Sequence, residues 1–117
     1  MNHIELGQEG EDIAANLLVK KGYQILTRNY RFKKLEIDIV CEFENQLIII
    51  EVKTRQTAAI GEPYKAVTIS KQKQIIKVAN KYIEETKCQL EVRLDVVSIV
   101  LNQYGTRIEH IENAFHP

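Results

Sequence analysis

The sequence predicts an α/β domain, a mixed β-sheet flanked by helices with its elements in the order α-β-β-β-α-β-β. Three observations carry that expectation. Two stretches, from about Ile4 to Lys21 and from Thr68 or Ser70 to about Thr86, place apolar residues at the three- and four-residue spacing of a helix. The stretches between and after them are short, β-branched and aromatic, as strands are. Consecutive antiparallel strands followed by a crossover helix imply a sheet of mixed direction.

A chain of 117 residues and 13.5 kDa makes one domain, residues 1–117, and 44% apolar composition suits an ordinary globular core. Sixteen basic and sixteen acidic residues leave no formal net charge, which argues against a bulk polycation and leaves room for a local basic patch. Cys41 and Cys88 form no motif and read as free thiols in a reducing compartment. The opening MNHIELGQEG lacks the apolar core of a signal peptide, and no run approaches the roughly 20 apolar residues of a membrane span. A cytoplasmic location is expected, with no membrane partner.

In the first helix, Ile13, Ala14, Leu17 and Leu18 form the apolar stripe, and Gly22 after Lys20-Lys21 supplies the stop. Its acids Glu5, Glu9, Glu11 and Asp12 read as solvated, and the position of Glu11 at the edge of the stripe does not by itself give it a function. Tyr23 to Phe32 is the first strand, ending in the basic turn Arg31-Phe32-Lys33-Lys34. After Arg55, QTAAIGEPYKAV with Gly61 and Pro63 reads as a loop of about ten residues, longer than typical connections. The second helix should bury Ile69, Ile75, Ile76, Ala79, Tyr82 and Ile83 and expose Lys73, Lys77 and Lys81. Glu91 to Leu101 is apolar enough for a central strand. Thr106 to Ile111 is a short final strand, and Ile111 to Phe115 is expected to pack back as a turn of helix.

The hairpin from Leu35 to Arg55 is the chemically informative stretch. A two-residue turn at Glu44-Asn45 sets Phe43 opposite Gln46, Asp38 opposite Glu51 and Glu36 opposite Lys53. Ile37, Ile39, Cys41, Ile48, Ile50 and Val52 then share one apolar face. The other face collects two carboxylates about 5 Å apart at Cβ. Opposed like charges are destabilising unless a cation lies between them. Asp38 and Glu51 with the Val52 carbonyl offer oxygen ligands to Mg²⁺ or Mn²⁺. Lys53, on the same face as Glu51, is placed to orient a water or to balance charge on a phosphate. The competing reading is a solvated sheet face with an ordinary Glu36–Lys53 rung. Arg28, Arg31, Lys33, Lys34, Arg55, Lys65 and the helix lysines either hold phosphates or form a normal basic surface. His3, His110 and His116 have no metal-ligand spacing, and neither a Gly-rich phosphate loop nor a Ser-His-Asp set is present.

These residues resemble a known family over almost the whole chain. Gly7-x-x-Gly10-Glu11 with Ala14, Gly22-Tyr23, Arg28-Asn29-Tyr30-Arg31, Glu36-Ile37-Asp38, Glu51-Val52-Lys53-Thr54-Arg55, Gly61, Pro63, Ala66-Val67-Thr68, Lys71, Arg93-Leu94-Asp95, His110-Ile111 and Asn113-Ala114-Phe115 are similar to the motifs of the YraN-like proteins. That bacterial family resembles archaeal Holliday-junction resolvases and is placed in the PD-(D/E)XK nuclease superfamily. The resemblance implies a restriction-endonuclease-like, resolvase-like fold and a catalytic core of Asp38, Glu51 and Lys53. It implies that Glu11 projects toward the metal, alongside Asp38, Glu51 and Val52, and that Mg²⁺ or Mn²⁺ is the cofactor. DNA is the implied partner, contacted by Arg31, Lys33, Arg55 and Lys71, and a two-fold homodimer accords with the likeness. The expected activity is divalent-metal-dependent endonuclease cleavage of DNA, branched or damaged DNA among its candidates. The alternative is a non-catalytic nucleic-acid-binding or assembly protein that keeps the nuclease fold; a third reading is a metal-free structural domain. Ile37 replaces the superfamily's Pro, Leu35 stands where many relatives have Gly, and Leu94 replaces Phe; none of these removes a candidate ligand.

Overall fold

The structure, a computed structural model, describes residues 2–57 and 67–117. Gly61, Pro63, Lys65 and Ala66, singled out above, lie outside the described residues. The elements follow the expected order: α1 His3–Lys20, β1 Gln24–Phe32, β2 Leu35–Phe43, β3 Gln46–Arg55, α2 Ile69–Thr86, β4 Glu91–Asn102 and β5 Gly105–Phe115. The strands form one five-stranded sheet in the order β1-β2-β3-β4-β5, antiparallel except where the α2 crossover makes β3 and β4 parallel. Among the described residues no helix is long and apolar enough to cross a membrane.

The helices cover opposite faces. Leu6, Gly10, Ala14 and Leu18, four residues apart, turn the buried side of α1 toward the sheet. Ala14, Ala15 and Leu18 pack with Ile39, Cys41, Ile48, Ile50, Val97 and Ile99. Gly10 is needed because the helix backbone lies directly on β3; a Cβ there would stand 2.7 Å from Cβ of Thr54. On the other face Ile75, Val78, Ala79 and Tyr82 of α2 pack on Val40, Leu47, Ile49, Leu94 and Val96. Ile69, expected in that buried stripe, is 71% exposed because it is the first helical residue and precedes the sheet contact. Thr68 caps this helix, its hydroxyl accepting from Lys71 N–H at 3.1 Å.

The hairpin register holds from Phe43–Gln46 to Ile39–Ile50. Glu44 and Asn45 both take left-handed φ, 50° and 63°, as a two-residue hairpin turn that follows the strand twist requires. The pairing then stops. Asp38 and Glu51 are not a ladder pair, and Glu36 bonds to Asn29 and Arg31 instead of facing Lys53 as a rung. The single apolar face is also corrected at Ile37, which packs on the α2 side while Ile39 packs on the α1 side. β1 changes faces at the same level. Arg28 reaches α1, whereas Tyr30, two residues on, packs against Tyr82 of α2. Asn29 between them has φ 55°, and this left-handed residue breaks the two-residue alternation.

The C-terminal turn of helix expected at Ile111 to Phe115 is extended instead. β5 runs unbroken to Phe115, which pairs with Leu94, with a bulge opposite Asp95. The buried Asp95 carboxylate accepts from Asn113 N–H at 2.9 Å, and Asn113 takes φ 53° to present it. A backbone bond to a buried charge outweighs the local tendency to coil.

Candidate active site

Asp38 lies where β2 and β3 part. Freed from ladder pairing, the strands leave room for its side chain, and Oδ2 accepts from Val52 N–H at 2.8 Å. Glu51 precedes Val52 on β3 and lies close enough to Asp38 for that charge to act on it. Both are half-buried. Burial pushes Asp38 up to about 6; the Val52 N–H pulls it down, Glu11 and Glu36 push it up, and Lys71 pulls it down. Burial, then the Asp38 charge, pushes Glu51 up to about 8, against the pull of Lys71 and Lys53. Near neutral pH the pair therefore retains a proton in place of one of its two negative charges.

Beside the pair opens a cleft of about 490 Å³. Glu51 and Lys53 of β3, Thr68 and Lys71 at the start of α2, and His3 and Gly7 at the start of α1 line it. The N-terminal turns of both helices thus face the same cleft as two lysines. Lys53 is exposed and Lys71 half-buried, and both act electrostatically on Glu51.

Glu11 stands on α1 close enough for its charge to raise Asp38. Its carboxylate is already engaged. Oε1 accepts from Arg28 Nε at 3.2 Å and Oε2 from Asn29 Nδ2 at 3.1 Å, and the side chain is only 13% exposed. The same Asn29 nitrogen donates to Glu36 Oε1 at 2.7 Å, whose other oxygen accepts from Arg31 Nε at 3.1 Å. Arg28 Nη2 also reaches Asp12 at 2.6 Å. Among the described residues no group of three or more His, Cys, Asp and Glu side chains is assembled as a metal cage.

The fold thus brings together Asp38, Glu51, Lys53 and Lys71 around the Val52 backbone, with Glu11 behind Asp38. It does not bring the other basic candidates to that point. Arg31 pairs with Glu36, the Lys33 ammonium stands 5.4 Å from the centre of the Phe32 ring, and Arg55 Nη2 turns to Ser98 Oγ at 3.5 Å. Sequence reasoning missed Arg28, Asn29 and Glu36 as parts of the surroundings. The available signal was an asparagine inside an otherwise β-branched and aromatic strand, where its propensity is poor.

A second buried polar cluster ties β5 to the sheet. Arg93 grips Asp95 through two bonds of 2.9 Å, and His110 Nε2 lies 2.8 Å from the same carboxylate. Burial pushes Asp95 up, but the bonds from His110, Arg93 and Asn113 outweigh it and hold the carboxyl below the usual range. Arg93 also donates to Tyr23, which stacks on Phe43 at 4.1 Å. Both carboxylate oxygens of Asp95 are used, so this cluster reads as a fastening.

The donor set by the cleft fits a hard divalent cation. Its ligand atoms are carboxylate oxygens, and a doubly charged ion would take the place of the proton the pair retains. Mg²⁺ keeps several waters and commonly takes only one or two carboxylates, so Asp38 and Glu51 suffice without a cage.

Fold and cleft together define a small α/β domain with a carboxylate–lysine site where its central strands diverge. The chain belongs to a family described as "Uncharacterised protein family UPF0102", the YraN-like family, whose model matches residues 10–99. It is 45% identical over 113 residues to a UPF0102 protein of Christiangramia forsetii, covering 97% of this chain and 95% of the relative. A UPF0102 protein of Phocaeicola vulgatus is 45% identical over 115 residues, 98% of this chain and 95% of its own length. One of Thermodesulfovibrio yellowstonii is 44% identical over 115 residues, 98% and 99% of the two chains.

Proposed function

We propose that this protein is a divalent-metal-dependent endonuclease of the restriction-endonuclease-like, resolvase-like class, acting on DNA. The observation that carries the reading is Asp38 bonded to the backbone N–H of Val52, next to Glu51, beside a cleft that Glu51 lines together with Lys53 and Lys71. Asp38 and Glu51 would hold Mg²⁺ or Mn²⁺, with the Val52 carbonyl as a further oxygen and Glu11 close behind. When bound, such an ion activates a water and offsets charge on a phosphodiester. Val52 N–H fixes Asp38, so that carboxylate enters the reaction already oriented. Lys53 on the exposed rim would orient the attacking water or balance the charge that develops on phosphate. Lys71 would bind the phosphate from the opposite wall, and the two helix N-termini favour an anion in the same cleft. Arg31, Lys33 and Arg55 would meet DNA away from the scissile bond, as backbone contacts along a longer path. Branched or damaged DNA is the substrate class we favour, and cutting both strands of a symmetric junction would call for a two-fold homodimer.

A second reading has one observation in its favour. Each oxygen of Glu11 is already bonded, to Arg28 and to Asn29, which leaves it less free to take up a metal. Nicking assays on four-way junction, flap and duplex DNA with Mn²⁺ separate the two. The nuclease reading predicts cleavage by the wild type and none by Asp38→Ala; equal activity in both would sink it. Salt-sensitive binding with no cleavage by either protein supports the second reading.

A further inference from the structure

Asn29 occupies the point where β1 and β2 both change faces. The flanking pairs Arg28–Ile39 and Tyr30–Ile37 place it across from Asp38. Its φ of 55° is a conformation that costs an ordinary L-residue about 1 kcal/mol and that asparagine tolerates. The unusual backbone puts its side chain between two acids. The amide nitrogen has two hydrogens and two partners, Glu36 Oε1 at 2.7 Å and Glu11 Oε2 at 3.1 Å. Without that nitrogen Glu11 and Glu36 would repel each other across the gap. Glu11 would keep only Arg28, which it shares with Asp12.

A carboxylate bonded once at each oxygen still has free lone pairs. Side chains near a metal are characteristically oriented by hydrogen bonds of this kind, made by residues that never touch the ion. We infer that Asn29 is a positioning residue: by donating to Glu11 and Glu36 at once, its amide fixes Glu11 near Asp38, where its charge would act on a cation held by Asp38 and Glu51. Asn29 acts through Glu11 and touches neither cation nor substrate. The inference rests on the Asp38–Glu51 pair being a cation site.

The test is calorimetric titration with Mn²⁺ alone, at one pH, of wild type, Asp38→Ala, Asn29→Gly, Glu11→Gln and the Asn29→Gly/Glu11→Gln double variant. Glycine keeps the left-handed backbone and removes only the amide. The expected result is binding by wild type, none by Asp38→Ala, and affinity weakened about tenfold or more by Asn29→Gly. In the Glu11→Gln background Asn29→Gly should cost nothing further, because its effect passes through Glu11. Wild-type affinity in Asn29→Gly, or an equal loss in both backgrounds, overturns the role of Asn29 while leaving the cation site standing. No Mn²⁺ binding by wild type overturns both. Should the glycine variant not fold, Asn29→Asp gives the same decision. It keeps the size of the residue but turns the donor into an acceptor, so it weakens Mn²⁺ binding although it adds a negative charge near a cation. Tighter binding would overturn the inference.

Discussion

Replacing Glu51 with Gln changes stability in a way that depends on pH, and the sign follows from the site. Glu51 is raised to about 8 and Asp38 to about 6, both above their unfolded values. A carboxyl raised by folding binds its proton more tightly in the folded state. Its contribution to stability is therefore complete below the unfolded pKa and is lost as pH rises through the folded one. The metal-free protein should weaken steadily from about pH 4 to about pH 8. Glutamine resembles the protonated glutamate and cannot ionise, so Glu51→Gln escapes most of that loss. A tenfold change in proton affinity corresponds to about 1.4 kcal/mol, and discounting heavily for solvent around a half-buried pair leaves a gain of about 2 kcal/mol at pH 8. That gain is roughly 8 °C in Tm for a domain of this size. Differential scanning calorimetry in EDTA should show Glu51→Gln and wild type melting together at pH 4 and separating as pH rises. A Tm difference that is the same at pH 4 and pH 8 would refute the reasoning.

Three further outcomes follow from other parts of the structure. Asp95→Asn takes from the Arg93 guanidinium its buried charged partner, leaving only the more exposed Glu112 at 3.2 Å, and should cost about 3 kcal/mol by urea denaturation. Gly10→Ala would ordinarily strengthen a helix by about 1 kcal/mol, but here the added methyl meets Thr54, so Tm should fall; adding Thr54→Ala should restore only part of it, because the Thr54 Cβ, 2.7 Å from the new methyl, remains. Mn²⁺ should raise the Tm of wild type at pH 8 and leave that of Asp38→Asn unchanged, because a ligand bound only by the native state stabilises it.

Much of the architecture was legible because it rests on local patterns. The Glu44-Asn45 turn and the alternation on either side fixed the hairpin register, and the crossover helix fixed the parallel pairing of β3 with β4. The convergence of Asp38 and Glu51 was also legible, though for a reason that proved incomplete. They meet because the ladder ends at Ile39–Ile50 and the strands part, and no periodicity argument marks the residue at which pairing stops. The face switch at Ile37 escaped for the same reason. It depends on one left-handed residue, Asn29, in the neighbouring strand. The extended path of β5 was not legible either, because Asn113 is held by Asp95, eighteen residues away in sequence. Tertiary contacts of this kind override propensity. Among the basic candidates, sequence could count charges but not say which were already paired; Arg31 with Glu36 and Arg55 against Ser98 emerge only once the strands are placed.

The central claim is that Asp38 and Glu51 hold a divalent cation. A crystal soaked in Mn²⁺ and measured at the manganese absorption edge tests it most directly. An anomalous peak between the two carboxylates, at oxygen-ligand distance from both, is the predicted result. Ordered crystals with both side chains resolved and no peak between them would contradict it.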